Sequence, residues 1–416
     1  MRLRVAILSG NHLCHNPRVW KEAVALTEAG CDVEVLGGWH SAPLKAQDQA
    51  VLAGARFRFS AVVDTTGAGA PARVSAVTPR LRSKAGQLAF SLLALENRWQ
   101  MGQAVAGLAR AARRSPADLF IAHSEAGMVV AKDLHLRGRS VGVDMEDWFS
   151  EDLLPEARRT RPLTLLRTTE RYLLQNAVHS SCPSHAMSEA LTLEYGCRAP
   201  VVIYNAFPWD SRRALDGLRK DRLEGEPRSI HWYSQTLGPG RGLEDLFAAL
   251  PHLRHEVAIH LRGRQTHRFA EWMHARVPER WRPAITLHDL VGSEELLSRI
   301  AEHDIGFAGE QTFCRSRDLT VTNKILHYLL GGLAVVASDT AGQREVAAAA
   351  PGAVTLYTGG NPASLAAALD RLLSSPVTLQ EARAAALRAA QGPFCWETVA
   401  PRLVRSVEAV PCSTAP

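Results

Sequence analysis

Two stretches hold residue types and spacings suited to gripping a phosphate. In TLGPGRG, residues 236–242, three glycines surround Arg241 between a strand-like and a helix-like run. Gly238, Gly240 and Gly242 let the backbone approach a ligand closely, and a guanidinium can fork two phosphate oxygens at once. The spacing is neither GxGxxG nor a Walker loop, which ends in Gly-Lys-Ser/Thr. The second stretch, VTNKILHYLLGGLAVVASD, covers residues 321–339. Ile325, Leu326 and Leu329 recur at helical spacing, Gly331 and Gly332 stop the helix, and residues 333–337 form a short run that fits a buried strand. Thr322, Asn323 and Lys324 then stand at the helix N-terminus, where free N–H groups, the positive dipole end and an ammonium favour an anion. Alone, each stretch also reads as a tight turn or an ordinary helix–strand unit. Together, two cations at two strand-to-helix junctions of one domain would converge on one diphosphate.

Other chemistry-bearing residues follow further strand-like runs. Glu310 opens the loop GEQTFCRSRDLT and could accept hydrogen bonds from sugar hydroxyls, while Arg315 and Arg317 could meet an acceptor or a phosphate. Gly10 and Asn11 follow the first strand, a common place for backbone to meet a ligand in a parallel α/β sheet. His123 follows the run 118–122, and DMED (144–147) follows the run 140–144. Glu146 and Asp147 could act as acid and base, or simply cap a helix. No HExxH, serine-hydrolase elbow or kinase signature occurs, so no metal ligand set is proposed.

The elements that must position these residues alternate strand and helix. Residues 3–8, 32–36, 118–122, 140–144 and 201–204 read as strands with helices between them. Asn16-Pro17 supplies an N-cap followed by proline at the first helical position. Residues 205–228 are polar, lack periodicity and carry Pro and Gly. Beyond them the pattern restarts with strands at 229–235, 257–262, 285–288, 304–308 and 333–337. Such alternation implies parallel, doubly wound sheets. The expected organisation is a first domain over 1–205, a linker over 206–228, a second domain over 229–390, and a terminal segment 391–416 whose helix could cross back to the first domain.

Composition narrows the partners. The 416 residues are 46% hydrophobic with a net charge of +6, an excess that favours anionic ligands or an acidic membrane surface without pointing to nucleic acid. Seven scattered cysteines with no CxxC argue for a reducing cytoplasm rather than a disulfide framework. The start, MRLRVAILSG, has too short an apolar core for a signal peptide and reads as a first strand. Residues 80–114 form a helix-compatible run with RLRSK at one end and ARAARR at the other. It reads first as a core helix, with a basic membrane-facing helix as the alternative.

The order of these elements resembles the retaining GT-B glycosyltransferases of family four. SGNHLCHNPRVWKEAVALTEAGCDVEVLG looks like that family's opening, VIYNAF its interdomain phrase, QTLGPGRGLEDLFAAL its donor loop, and TNKILHYLLGGLAVVASD its signature helix and strand. The resemblance implies two Rossmann-like domains facing a cleft and a nucleotide-diphosphate sugar bound mainly to the second. Arg241 and Lys324 would hold the diphosphate, with Gly240, Thr322 and Asn323 beside it, and Gly10 and Asn11 would cover it from the first domain. His123 would lie by the transferred sugar and Glu310 on its hydroxyls. Such enzymes hold no metal or cofactor, and transfer with retention as the leaving phosphate helps deprotonate the acceptor. The chain departs from the family at three places. Where Glu-x7-Glu is usual it has Leu319 and His327, where a base is usual six residues before Arg241 it has Gln235, and Asp-x-His-Glu reads DMED. Arg262, Arg315 or Arg317 could replace the missing cation.

The reading is therefore a cytoplasmic, metal-independent retaining glycosyltransferase, in possible contact with the inner face of a membrane through 80–114. It would act on a small-molecule or lipid-linked acceptor. Two alternatives stand beside it: a catalytically weak or inactive binding partner with the same fold, and a sugar-nucleotide 2-epimerase.

Overall fold

The computed structural model describes residues 2–67, 70–222 and 225–410. Contacts divide the chain into two units. The first holds Met1–Pro183, Met187–Ile203 and the chain from Ala400 onward, and the second holds Ser184–Ala186 and Tyr204–Val399.

The first unit is built on seven parallel strands: β1 (Arg4–Leu8), β2 (Asp32–Trp39), β3 (Arg58–Asp64), β4 (Leu119–Ala122), β5 (Ser140–Asp144), β6 (His179–Cys182) and β7 (Val201–Val202). Their order is β3-β2-β1-β4-β5-β6-β7, reversing at β1, where doubly wound sheets open their ligand crevice. The helix Pro17–Glu28 begins as its sequence demands: the Asn16 side chain accepts a bond from the Val19 N–H, and Pro17 occupies the first turn. Strand β3 escapes a pattern search because most of its residues are only partly buried. Strand β6 escapes it because HSSC lacks an apolar alternation.

The run 80–114 is not one helix. A helix spans Ala70–Leu93 and ends at Ala94, whose φ of 51° is left-handed. Asn97 then caps the 3-10 turn Arg98–Met101: its side chain accepts from the Trp99 N–H, while the Gln100 side chain accepts from the Asn97 N–H. A separate helix, Val105–Arg114, buries Val105, Leu108, Ala109 and Ala112. The core reading holds for this second half. The first half exposes its leucines.

The second unit carries six parallel strands: β8 (Ser229–Leu237), β9 (Ala258–Gln265), β10 (Ile285–His288), β11 (Ile305–Ala308), β12 (Ala334–Ser338) and β13 (Val354–Tyr357), in the order β10-β9-β8-β11-β12-β13. One face packs Ile230, Trp232, Ile259, Leu261, Phe307 and Val336 into the main core. His231 and His260, which alternate with those residues, and His303, just before β11, are fully buried as well. The His303 ring stacks on His231 at 4.5 Å and lies 4.6 Å from His260, and His260 Nδ1 meets His288 Nε2 at 2.9 Å. Burial holds all four below the ordinary histidine range; neighbouring rings add to it at His231 and His260, the latter near 3, while Asp221 opposes it at His288 and His303. They are packing groups that depend on being neutral.

Among the described residues no helix is long and apolar enough to cross a membrane.

Candidate functional site

The phosphate-binding candidates of the second unit lie at the carboxyl ends of β8 and β11 and at the start of the helix Asn323–Gly331. Gly242 explains why the first loop needs glycine. Its φ is +86°, and a Cβ there would sit 1.7 Å from the Gly309 carbonyl oxygen. The TLGPGRG loop therefore lies directly against the segment that carries Glu310. Gly240 is also left-handed, at +75°, and its N–H donates to Glu244 Oε1 at 2.6 Å. Arg241 is exposed and donates to Ser234 Oγ at 3.1 Å.

Glu310 is pinned at the backbone. Its N–H donates to Ser338 Oγ at 2.9 Å, and that hydroxyl donates to the Glu310 carbonyl at 2.7 Å. Its carboxylate receives the Lys324 ammonium at 2.8 Å. Burial alone would raise the carboxyl pKa, but Lys324 outweighs it, with help from Arg317, and holds Glu310 below the ordinary range. Lys324 lies 5.2 Å from the centre of the buried Trp232 ring, which gives the ammonium an electron-rich floor. Thr322 is the N-cap residue of this helix. The next residue, Asn323, accepts from Asn205 Nδ2 at 2.7 Å. Arg241, Gly240, Glu310, Lys324, Thr322 and Asn323 thus occupy adjoining loops of one unit.

His327 lies one turn further along. Its ring stacks on Phe207 at 3.6 Å and 15°, and its Nδ1 meets the Tyr233 hydroxyl at 2.6 Å. Whichever tautomer is present, one ring nitrogen is spent on Tyr233. Gln235 is exposed on β8, at the irregularity where the register with β9 shifts between Tyr233 and Thr236.

Two expected site residues are placed elsewhere. Arg262 is buried, pairs with Asp221 and donates to the Asp289 carbonyl, so its guanidinium is consumed inside the unit and is not free to replace a phosphate cation. His123 is fully buried at the end of β4. Its Nδ1 meets Glu146 at 2.6 Å and its Nε2 meets Glu22 at 2.5 Å. Burial would lower its pKa, but Glu22 and Glu146 overcome this and raise it well above the ordinary range. The ring is an imidazolium clamped by two carboxylates, and neither nitrogen is offered to a substrate. The same network includes Arg18, which forks Asp144 through two bonds of 2.8 Å, and Asn16, which donates to Glu146 at 2.7 Å. The His123 and Asn16 bonds both fall on Glu146 Oε1. This Arg18–Asp144 and Glu22–His123–Glu146 assembly ties the first helix of the unit to β4 and β5.

Gly10 needs both its left-handed φ of +70° and its missing side chain, since a Cβ would lie 2.8 Å from Ala104 Cβ. With Asn11, His40, Met101, Ser124 and Phe149 it lines a cavity of about 250 Å³ in the first unit. Nearby, His12, Cys14 and Asp48 come close enough to suggest a metal, but their donors are used internally. His12 Nδ1 bonds Asp48, while its Nε2 accepts from the His40 and Ser41 N–H groups. Burial and Asp48 push the Cys14 thiol up to about 12.

The parts missed by sequence reading are apolar partners. Trp232 under Lys324 and Phe207 against His327 carry no motif; only their positions beside the donor loop and in VIYNAF could have flagged them.

Residues 230–375, within the second unit, match the family model of glycosyl transferases group 1. No curated protein sequence matches the chain. Among solved structures, HepE from Anabaena in complex with UDP and glucose is 16% identical over 98% of this chain and 100% of that one, with a TM-score of 0.70. Sucrose-phosphate synthase from Thermosynechococcus elongatus is 15% identical over 98% of both chains, with a TM-score of 0.68. A UDP-forming α,α-trehalose-phosphate synthase from Burkholderia xenovorans is 15% identical over 100% of both, with a TM-score of 0.65. At such identities the likeness establishes the fold, and the fold is GT-B: two parallel-sheet α/β domains of seven and six strands.

Proposed function

We propose that the chain transfers a sugar from a nucleotide-diphosphate donor to an acceptor hydroxyl, with retention of configuration and without a metal. The observation that carries this reading is the Lys324–Glu310 pair at 2.8 Å, set at a helix start against a glycine loop bearing Arg241. On this reading Lys324 leaves Glu310 for the diphosphate, and Arg241 swings onto it from the neighbouring loop. The two cations stabilise the charge that builds on the leaving diphosphate, a task a metal ion performs elsewhere. Glu310, relieved of its ammonium, accepts hydroxyls of the transferred sugar. The diphosphate itself takes the acceptor proton. Neither His123 nor Arg262 is assigned a part. The first unit binds the acceptor. UDP and glucose in the HepE complex support the donor class.

His327 favours a second reading, a binding partner with little turnover. A nitrogen committed to Tyr233 cannot replace a carboxylate that accepts two ribose hydroxyls. The test is a thermal-shift screen against UDP, GDP, ADP and dTDP, then their sugars, followed by donor turnover. Stabilisation with turnover supports the transferase. Stabilisation without turnover, unrestored by Gln235→Arg with His327→Glu, supports the binding partner. Conversion of the donor sugar with no acceptor present and no nucleotide released marks an epimerase.

A further inference from the structure

The helix Ala70–Leu93 carries a surface that neither the donor site nor the core uses. Leu81, Leu88, Leu92, Leu93 and Leu95 are each between 58% and 71% exposed. A single exposed leucine needs no explanation, but five within fifteen residues do. Positions 81, 85, 88 and 92 follow the i, i+4, i+7, i+11 spacing of one helical face, so Leu81, Ala85, Leu88 and Leu92 form a single apolar stripe. Leu95, also exposed, follows the helix end.

The side that faces the protein is a different one. Gly86 is buried, and a Cβ there would meet Asn97 Oδ1 at 2.6 Å and Trp99 Cβ at 3.0 Å. Asn97 Nδ2 donates to the Gly86 carbonyl at 3.0 Å. At 100° per residue Gly86 lies well over 90° around the helix from the Leu81–Leu92 stripe. Leu81, Leu88 and Leu92 are therefore held outward by the packing, whereas Leu93 lies on the Gly86 side.

Charge identifies the occupant. Arg80, Arg82 and Lys84 are exposed; on the helical wheel Arg80 and Lys84 border the stripe on one side and Arg82 on the other, with the Arg82 guanidinium 5.6 Å from the centre of the Trp99 ring. No Asp or Glu occurs between Asp64 and Glu96. Both of those acids are engaged elsewhere: Asp64 with Lys45 at 2.6 Å, and Glu96 with the N–H groups of Thr164 and Leu165 at 3.1 and 2.6 Å. An apolar stripe bordered by unneutralised cations matches the boundary between acyl chains and anionic headgroups. A second copy fits less well, because two-fold pairing of the stripes would bring like charges together. No described helix can cross a bilayer, so the contact lies in the interface plane.

We infer that this helix docks the protein on an anionic phospholipid surface. The test is flotation of the full chain with vesicles of phosphatidylcholine plus phosphatidylglycerol, and with phosphatidylcholine alone. Binding should be confined largely to the anionic vesicles and weaken with salt. Each Lys or Arg near such a surface is worth about fivefold in affinity, so Arg80→Gln with Arg82→Gln and Lys84→Gln should lower binding on the order of 100-fold. Leu88→Ser with Leu92→Ser should lower it about tenfold or more, from lost burial. Leu193→Ser, on a leucine 85% exposed in another helix, should leave it unchanged. All these side chains are exposed, and unchanged circular dichroism verifies the fold. Absence of vesicle binding, equal binding to neutral vesicles, or undiminished binding of the leucine variant overturns the inference. A dimer in light scattering that the leucine variant abolishes, without vesicle binding, assigns the stripe to a second copy instead.

Discussion

Replacing Lys324 by alanine should have two separable costs. The first falls on the ligand. A charge-assisted contact to a phosphate contributes about 1.5–3 kcal/mol, so the affinity for the best-bound nucleoside diphosphate should drop roughly 10- to 150-fold. The second falls on the fold. Lys324 and Glu310 are 14% and 9% exposed as side chains, and the ammonium is what holds the Glu310 carboxyl below its ordinary range against burial. Breaking a buried pair costs about 3–5 kcal/mol, and the residual exposure of Lys324 puts this case toward the lower end. Lys324→Met with Glu310→Gln should restore most of the stability while leaving nucleotide binding weak. Glu310→Gln alone should spare the nucleoside diphosphate, since it frees the ammonium, while weakening binding of the intact nucleotide sugar. Calorimetric titration with the nucleotide and urea unfolding read the two costs independently. A folded Lys324→Ala protein with unchanged affinity refutes the phosphate assignment, as does a Glu310→Gln variant that loses the free nucleotide to the same extent.

Other perturbations have equally definite outcomes. Buried His231, His260 and His303 have folded pKa values below the ordinary 6.5, so the stability they confer is present above that pH and is lost as pH falls toward the folded values. Each contributes a slope of about 1.4 kcal/mol per pH unit; urea unfolding between pH 7 and pH 5 should show it, and His260→Phe should flatten it. His123 has the opposite sign. Its folded pKa is raised, so its contribution is complete below the ordinary value and declines as pH climbs through the folded one, a decline that His123→Gln should abolish in the same assay. Gly242→Ala should cost several kcal/mol and nucleotide binding, because its Cβ meets Gly309 backbone, whereas Gly240→Ala meets nothing within 4 Å and should cost only about 1 kcal/mol in unfolding experiments.

Much of this was legible in the chain because local signals and tertiary need coincided. Asn16-Pro17, the helix Asn323–Gly331 and strand β12 each combine a pattern with a stop or start residue, and the structure realises them. The glycine loop was legible for the same reason: left-handed φ at Gly240 and Gly242 leaves a trace in residue type. What the chain hid were pairings at long separation. His123 looked like a ligand-facing histidine because its partner Glu22 lies 101 residues away. Arg262 looked available because Asp221 sits in a segment that reads as linker. The helix break after Leu93 depended on Asn97 reaching back to Gly86, which no periodicity announces. Residue type showed what chemistry was on offer, and tertiary pairing decided which groups remained uncommitted.

In the proposed function the second unit grips a nucleotide-diphosphate sugar through Arg241 and Lys324 and releases its sugar without a metal. The most direct measurement is phosphorus NMR of the best-bound nucleotide sugar incubated with the full chain and a chelator, with water as the acceptor when no other is supplied. Diphosphate diester signals should convert to free nucleoside diphosphate, at a rate the chelator does not change and that Lys324→Ala largely removes. Intact diester over prolonged incubation, or conversion that needs a divalent cation, contradicts the proposed function.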